Sequence, residues 1–175
     1  VHPRLTLSLY GYPAKIVSVS PMTKTPKLKA PIHCAHTSIR LLEHLKPHPK
    51  NPNNHPAQQI TLLAKVILTG GWRAPIVLSK RSGLIVKGHG RRLAAMAAGL
   101  THGPVDIQEY ETEEAELADM IADNRLAELA EMDLSSLDGI LQELKADAVD
   151  LELTGFTAEA FAELTERMKQ PDAPD

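Results

Sequence analysis

The stretch Leu84-Ile85-Val86-Lys87-Gly88-His89-Gly90-Arg91-Arg92-Leu93-Ala94-Ala95 decides how this chain folds. Its first residues are apolar and partly β-branched, which predicts a short buried strand. Gly88 and Gly90 allow a sharp turn, and the alanine-rich residues that follow predict the start of a helix. The chain is therefore expected to pass from strand to helix at residues 88–90.

Two arginines lie at the start of this predicted helix. A helix N-terminus carries partial positive charge and unpaired N–H groups, so Arg91 and Arg92 are unfavourable there unless an anion is close. Free backbone donors, glycines that permit close approach and two guanidinium groups together favour a phosphate site. The same pattern also fits a simple strand–helix turn whose arginines point into water, and a lone glycine-rich turn does not decide between the two.

The composition is typical of one aliphatic, alanine-rich domain. The 175 residues suffice for a single core, and 43% apolar with only 3% aromatic content favours an α/β or helical protein over a β-sandwich. No apolar run approaches the ~20 residues of a membrane span, so no membrane association is expected. The single cysteine, Cys34, excludes an internal disulfide and fits a reducing cytoplasm. The segment 33–36 contains two histidines and this cysteine but lacks the further cysteines of a metal site, so none is predicted.

Charge is distributed unevenly along the chain, although the net charge is only −3. Residues 1–105 contain 15 lysines and arginines and one acid, Glu43, whereas residues 106–175 contain four cations and 21 acids. This asymmetry favours a basic surface for phosphates that is backed by a solvated acidic side. The alternative is that the two parts pair with each other. Charge alone does not distinguish DNA from a nucleotide.

The rest of the first part predicts a strand over 39–45, an extended proline-rich loop over 46–56 and a helix over 57–70. Residues 75–79 and 84–87 predict a β-hairpin, and residues 105–110 predict the next strand. The helix after Gly88 is expected to bury a face formed by Leu93, Met96, Ala97 and Leu100. With its flanking strands it predicts a βαβ unit, in which strands 84–87 and 105–110 lie parallel. Ligands of such sheets bind beyond the carboxyl ends of the strands, where residues 88–92 would lie.

The acidic part predicts three helices. Thr112 is expected to cap the first of them, whose buried face includes Met120, with Asn124 on the same side. Asp119 and Asp123 are one turn apart and could hold a divalent ion, although a solvated acidic face is the simpler interpretation. Regularly spaced leucines over 134–144 predict the second of these helices, and the third begins at residue 157.

These patterns divide the chain into four segments. Residues 1–36, rich in Pro, Lys, Ser and Thr, are predicted to be a flexible basic arm. Residues 37–112 form an α/β core, residues 113–168 a helical extension packed on the core, and residues 169–175 a linker-like tail. The predicted fold class is α/β (α+β), with a small mixed sheet that contains the βαβ crossover and is followed by acidic helices.

Four blocks resemble the ParB/sulfiredoxin superfamily in their order and separations. They are Leu45-Lys46-Pro47-His48-Pro49-Lys50-Asn51-Pro52, Gly71-Trp72-Arg73-Ala74-Pro75-Ile76, Val86-Lys87-Gly88-His89-Gly90-Arg91 with Ala94-Ala95, and Ile121-Ala122-Asp123-Asn124-Arg125-Leu126. The resemblance covers roughly residues 39–165 and is strongest to ParB-like nuclease domains of phage and mobile-element proteins. Residues 151–156 and the acidic segment after them are similar to what precedes the catalytic domain in ParB-domain DNA methyltransferases.

The resemblance implies a ParB N-terminal/sulfiredoxin-like domain and a set of site residues. A nucleotide or nucleic-acid phosphate would bind at the turn, and the third helix would complete the site. The implied site residues are Gly88, His89, Gly90, Arg91, Arg92, Asn124 and Arg125. Arg73 either faces the same pocket or is solvated, and Trp72 either stacks on a base or packs in the core. The implied cofactor is a nucleoside triphosphate, CTP or ATP, with Mg²⁺. The implied partners are DNA and a DNA methyltransferase or partition protein, in the same chain or a separate one, and a homodimer is compatible with the family.

The turn departs from the family pattern at two positions. In partition proteins it reads Gly-Glu-Arg-Arg and serves a CTP switch, whereas here His89 replaces the glutamate and Gly90 the first arginine, which puts hydrolysis of CTP in question. A sulfiredoxin has its catalytic cysteine where His89 stands, so reductase activity is not expected. Free-serine kinases of the superfamily use a carboxylate from the segment before the turn, which is absent between His44 and Val105.

Three functions remain open at this point. The preferred one is a module that binds DNA, a nucleotide or both, and is accessory to DNA modification or plasmid partition. The second is a phosphate-directed enzyme, a DNA nuclease or nucleoside triphosphatase, in which Arg91 and Arg125 stabilise the phosphoryl charge and His89 is the acid or base. It also needs Asp119 or Asp123 to hold a metal. The third is an interaction protein in which the glycine turn is only architecture, so that Arg91→Ala would change no ligand binding.

Overall fold

A computed structural model describes residues 30–169. The strands are β1 (Ser38–Leu41), β2 (Lys46–Pro47), β3 (Ile76–Ser79), β4 (Leu84–Lys87) and β5 (His102–Gln108). The helices are α1 (Ala57–Gly70), α2 (His89–Ala97), α3 (Glu113–Glu128), α4 (Leu134–Ala146) and α5 (Ala158–Lys169), with short 3₁₀ turns at Leu42–His44 and Leu151–Thr154. The predicted mixed α/β fold class is confirmed. The strand predicted over 39–45 is wrong in its second half, which forms the 3₁₀ turn Leu42–His44, and the predicted loop over 46–56 begins with β2. None of the described helices is both long enough and apolar enough to cross a bilayer.

The five strands form one mixed sheet in the order β1-β5-β3-β4-β2. The predicted hairpin is confirmed, since β3 and β4 are antiparallel neighbours. The predicted parallel relation of β4 to β5 is wrong, because β5 pairs in parallel with β3, from Ile76 opposite Val105 to Ser79 opposite Gln108. The hairpin is the physical reason: it places β3 between β4 and β5 and reverses the chain, so the parallel crossover runs from β3 to β5.

The sheet is covered on both faces. Alternate residues of β3 and β4 point to opposite sides, as the period of a strand requires. Ile76, Leu78 and Ile85 belong to the larger core, together with residues of α1 and α2. Val77 and Val86 pack with Met120 of α3 on the other face. The strands therefore consist almost entirely of apolar residues, as expected when both faces are buried.

The inner face of α2 differs from the predicted one. Ala94 and Ala95 are fully buried, whereas Leu93 and Met96 are 41% and 40% exposed. Small residues on the inner face let this helix lie close to α1 and the sheet, and the longer side chains are left outside. Only Leu100, just beyond the helix, is buried as predicted.

The basic arm predicted for residues 1–36 lies largely outside the described residues, as does most of the predicted tail over 169–175. Residues 30–36 lie against the core. Ala30 is fully buried, Ile32 forms a bridge with Trp72, and the backbone N–H groups of His33 and Trp72 donate to the carbonyls of Trp72 and Pro31 at 2.9 and 2.8 Å. These contacts fasten the segment to the loop after α1.

The helices after the sheet have a small core of their own. Leu141 of α4 packs against Phe161 and Leu164 of α5. Lys65 of α1 connects this core to the rest, because it pairs with Asp150 at 2.6 Å and also with Glu152. Thr112 caps α3 as predicted, with its hydroxyl accepting from the N–H of Ala115 at 3.2 Å.

Replacing Gly103 with alanine is expected to destabilise the fold. A Cβ at this position in β5 would lie 2.9 Å from the side chains of Leu42 and Trp72, which are both fully buried. Overpacking of this kind costs about 1–3 kcal/mol. Gly139→Ala in α4 is the matched control, since its Cβ would meet nothing within 4 Å and alanine favours helices. Urea unfolding that shows equal stability for the two variants would contradict this packing.

Candidate functional site

The turn at Gly88 positions the candidate site. Gly88 precedes α2 with φ 90° and ψ 26°, a left-handed conformation that favours glycine. A Cβ here would also lie 3.1 Å from the guanidinium of Arg91 and 3.3 Å from the Cα of Ile76. Glycine is therefore required for both the backbone angle and the close approach of Arg91. The first N–H groups of α2 have no partner within the helix, as at any helix start.

Arg91 folds back over this turn. Its Nη2 donates to the carbonyl of Pro75 at 3.0 Å, while its Nε is buried and has no hydrogen-bond partner. Burial lowers the pKa of the guanidinium, an effect that Asp123 and Cys34 oppose. A buried donor without a partner is rare, because it forfeits a hydrogen bond to water. The orphaned Nε–H is thus available to an acceptor that enters beside the turn.

A cavity of about 160 Å³ lies beside the turn, at the end of β4 and the start of α2. Its walls come from the loop before α1, from α1 itself, from the turn and from α3. The lining residues are Asn53, His55, Gln59, Leu63, Val86, Lys87, Gly88, His89, Gly90, Arg91, Asp123 and Asn124. Ligand pockets usually measure about 300–1,000 Å³, so this cavity has room for one small group, with the remainder of a larger ligand outside.

His55 contributes a second orphaned atom to the cavity wall. Its Nδ1 lies 2.9 Å from the Oε1 of Gln59, whereas its buried Nε2 has no partner. Because an amide oxygen only accepts, Nδ1 carries a hydrogen, and in the neutral ring Nε2 then presents a lone pair. Gly90 makes room for this ring, since a Cβ at Gly90 would lie 3.1 Å from it. An unpaired donor, on Arg91, and an unpaired acceptor, on His55, thus line the same cavity.

His89 is held as a neutral ring. Its Nε2 accepts from the backbone N–H of His48 at 3.2 Å. Burial, with smaller effects from His55, His48 and Arg92, lowers the pKa of His89 to about 4. The ring is therefore uncharged near neutral pH and its lone pair is occupied. This geometry does not favour His89 as a general acid or base, the role predicted for it from the sequence.

The two aspartates considered for a divalent ion are already paired. Lys87 Nζ lies 2.9 Å from Asp119 and 3.7 Å from Asp123, and the hydroxyl of Tyr110 donates to Asp119 at 2.8 Å. Across the described residues, no group of three or more His, Cys, Asp or Glu side chains is placed to hold a metal ion. The side chains around these aspartates therefore do not fit a metal ion.

The structure separates the predicted site residues into two groups. Gly88, His89, Gly90, Arg91 and Asn124 line the cavity, and Asn124 Nδ2 also donates to the carbonyl of Met120 at 3.1 Å. The other three predicted arginines face elsewhere and have other partners: Arg92 Nε donates to the carbonyl of Leu42 at 2.8 Å, Arg73 Nε donates to that of Gly70 at 3.1 Å, and exposed Arg125 pairs with Glu128 at 3.1 Å. Trp72 is fully buried and does not line the cavity.

Half of the lysines and arginines in residues 30–105 pair with acids of the second part of the chain. Five cations of the first part contact acids of the second, in the pairs Lys50–Glu113, Lys65–Asp150, Lys80–Glu109, Arg81–Glu116 and Lys87–Asp119. The alternative reading of the charge asymmetry is therefore favoured for the described residues. A basic surface here is smaller than composition suggests.

Sequence reasoning missed the cavity walls that lie far from the turn in the chain. Asn53, His55 and Gln59 come from the loop and first turn of α1, and Lys87 directly precedes the turn. The polar run Asn51-Pro52-Asn53-Asn54-His55 was a usable signal, because loops with several amides and a histidine often carry binding residues. Its position over the turn could not be deduced from periodicity.

Comparisons with known proteins agree on one kind of domain. No family model matches the chain. It is 32% identical over 75 residues to the ParB-like nuclease domain-containing protein YnaK of Escherichia coli (strain K12), which corresponds to 43% of this chain and 85% of that protein.

Among solved structures, the fold is similar to the C-terminally truncated chromosome-partitioning protein ParB from Caulobacter crescentus complexed with CTP-γ-S. The TM-score is 0.62 at 22% identity, with 77% of this chain and 79% of that chain covered. The same ParB complexed to the centromeric parS site superposes with a TM-score of 0.44 at 19% identity, covering 78% and 74% of the two chains. The likeness of fold therefore rests on the CTP-γ-S complex.

Proposed function

The chain belongs to the ParB-like domain family, and from this premise we propose that it binds a nucleotide through one phosphate group in the cavity beside Gly88 and Arg91. The observation that carries the proposal is the buried Nε–H of Arg91, which has no partner. A phosphate oxygen would accept from this donor and from the first N–H groups of α2, in the field of the helix dipole. Such charge-assisted bonds are about twice as strong as neutral ones.

The size and polarity of the cavity support a single phosphoryl group. At about 160 Å³ it is too small for a whole nucleotide, so the sugar and base would lie outside, along the loop with Asn53 or along α3. The lone pair on His55 would accept from a hydroxyl of the ligand. CTP is the first candidate, because the ParB of similar fold is complexed with CTP-γ-S.

We propose a binding module rather than a hydrolase or nuclease. His89 is neutral with its lone pair occupied, and Lys87 pairs with the two aspartates that a metal would need. Mg²⁺ that accompanies a nucleotide is therefore not held by these carboxylates, and no step is assigned to it. An accessory role beside a DNA methyltransferase or partition protein, a cytoplasmic location and a homodimer are part of the same proposal.

Calorimetric titration of the full chain with CTP, ATP and GTP tests this proposal. Saturable binding of at least one nucleotide is expected. Removal of Mg²⁺ with EDTA should weaken that binding by less than about tenfold, because Lys87 already supplies a cation beside Asp123. The absence of heat with all three nucleotides, in a protein shown to be folded, would contradict nucleotide binding. Complete loss of binding in EDTA would contradict the role given to Lys87.

DNA binding is a second proposal, carried by the composition of residues 1–29. These residues contain five cations and no acids, whereas half of the lysines and arginines in residues 30–105 pair with acids of the second part of the chain. Phosphate contacts made by such a segment would weaken binding to duplex DNA as salt rises. The slope of the logarithm of the binding constant against the logarithm of the salt concentration is about −0.9 per contact. A variant of the 175-residue chain with glutamine at all five cations should lose most of this slope. The substituted residues are Arg4, Lys15, Lys24, Lys27 and Lys29. An unchanged slope would contradict the proposal.

A further inference from the structure

A buried carboxylate lies outside the cavity, beside His48, a residue of the loop before α1 whose backbone N–H donates to His89. Glu116 of α3 is fully buried. It accepts from the hydroxyls of Ser82 and Ser79 at 2.6 and 2.7 Å, and Arg81 Nη2 donates to it at 3.0 Å. Burial alone would raise the pKa of Glu116, but these hydrogen bonds and the charge of Arg81 hold it below its usual value. A permanent negative charge is thus fixed between α3 and the β3–β4 turn.

This carboxylate orients a second buried group, His48. The side chain of His48 is 5% exposed, and its Nδ1 accepts from the backbone N–H of Lys50 at 3.1 Å. The ring hydrogen must therefore be on Nε2. That atom lies 3.7 Å from Glu116 Oε1, which is longer than a hydrogen bond but close enough for electrostatic attraction. The charge of Glu116 favours this orientation of the ring, and the ring in turn places the loop over 48–51.

The backbone of the same residue contacts the cavity wall. The N–H of His48 donates to His89 Nε2 at 3.2 Å. A backbone N–H cannot accept, so His89 must keep its Nε2 unprotonated and carry its hydrogen on Nδ1. The position of one loop N–H therefore decides which tautomer is present in a ring that lines the cavity.

We propose that Glu116 and His48 are positioning residues that fix His89 as the neutral tautomer with hydrogen on Nδ1. The chain of contacts runs from the carboxylate of α3, through the imidazole and backbone of the loop, to the ring beside the glycine turn. For a ligand, this positioning role rests on the proposed function, because a ring with hydrogen on Nδ1 presents an N–H donor that suits a phosphate oxygen. The tautomer itself is measurable without any ligand.

The test compares Glu116→Gln with Glu113→Gln in the full chain. Glu113 is the matched control, because it lies one turn earlier in α3 and pairs with Lys50 of the same loop at 2.6 Å, whereas His48 is only the smallest of the influences that lower its pKa. Ring nitrogens of ¹⁵N-labelled histidine report the tautomer by NMR at pH 7. His89 should carry hydrogen on Nδ1 alone in wild type and Glu113→Gln. In Glu116→Gln we expect the signals of both His89 tautomers.

His48→Asn gives a second route if Glu116→Gln does not fold. It keeps the backbone N–H but removes the ring that Glu116 orients, and the same mixture of tautomers is expected. Hydrogen on Nε2 of His89 in wild type, or an unchanged His89 in the folded variants, would overturn the proposal. Adding CTP to the same samples separates the two claims. If the tautomer responds but wild type binds no nucleotide, the positioning role stands and the proposed function fails.

Discussion

Replacing Glu116 with alanine is expected to lower the free energy of unfolding by about 3 kcal/mol, the largest loss predicted for a single substitution in this chain. The change removes the shared acceptor of Ser79, Ser82 and Arg81, of which Ser79 is buried and Ser82 is exposed. Removing one partner of a buried charged pair typically costs 3–5 kcal/mol, because the other groups stay buried and unpaired. Arg81 is 34% exposed and can turn to solvent, so the lower end of that range is expected.

Chemical denaturation measures this loss, and Glu113→Ala is its control. Glu113 pairs with Lys50 on the surface, with side chains 48% and 61% exposed, and such pairs contribute little to stability. The two variants should therefore differ clearly although they lie in the same helix. Equal stabilities would show that the buried cluster around Glu116 does not hold α3 to the β3–β4 turn.

Acidification from pH 7 to pH 5 is expected to cost about 2 kcal/mol of stability through His89 alone. The folded pKa is about 4, because burial disfavours the charged ring, against ~6.5 in the unfolded chain. Between these two pKa values the His89 ring is protonated in the unfolded state but not in the folded state. The stability contributed by His89 is therefore fully present above pH 6.5 and is lost as the pH falls toward 4.

The variant His89→Gln isolates this effect from the other histidines and the carboxylates. A glutamine oxygen still accepts from the N–H of His48 but does not titrate in this range. Unfolding curves at several pH values should show a flatter pH dependence for the variant than for wild type. Identical slopes would mean that His89 titrates normally and is not buried as a neutral ring.

The sequence predicted the fold best where a pattern repeats locally. Helices α1 and α3 and the β3–β4 hairpin follow from apolar spacing, turn residues and caps, which depend on neighbours in the chain. The pairing of β5 with β3 depends instead on which edge of the hairpin is free, and no local signal specifies this. The inner face of α2 was missed for a related reason, because close packing against α1 selects Ala94 and Ala95 over the larger Leu93 and Met96.

The candidate site was predictable only in part. Gly88 and Arg91 are only three positions apart in the chain, so their arrangement at a helix start could be deduced from helix electrostatics. The opposite wall comes from His55 and Gln59, which the loop over 48–56 brings across the turn. Arg92 is next to Arg91 in sequence, but the helical rotation of about 100° per residue directs it to Leu42, away from the cavity.

Calorimetric titration of CTP into wild type, Arg91→Ala and Arg125→Ala tests the central claim most directly. Both arginines belong to the family resemblance, but only Arg91 lines the cavity, and Arg125 pairs with Glu128 on the surface. We expect Arg91→Ala, checked for folding by circular dichroism, to lose about 10- to 100-fold in affinity, as for a lost charged hydrogen bond, and Arg125→Ala to bind like wild type. Unchanged affinity in Arg91→Ala, or a large loss confined to Arg125→Ala, would contradict a phosphate site at the glycine turn.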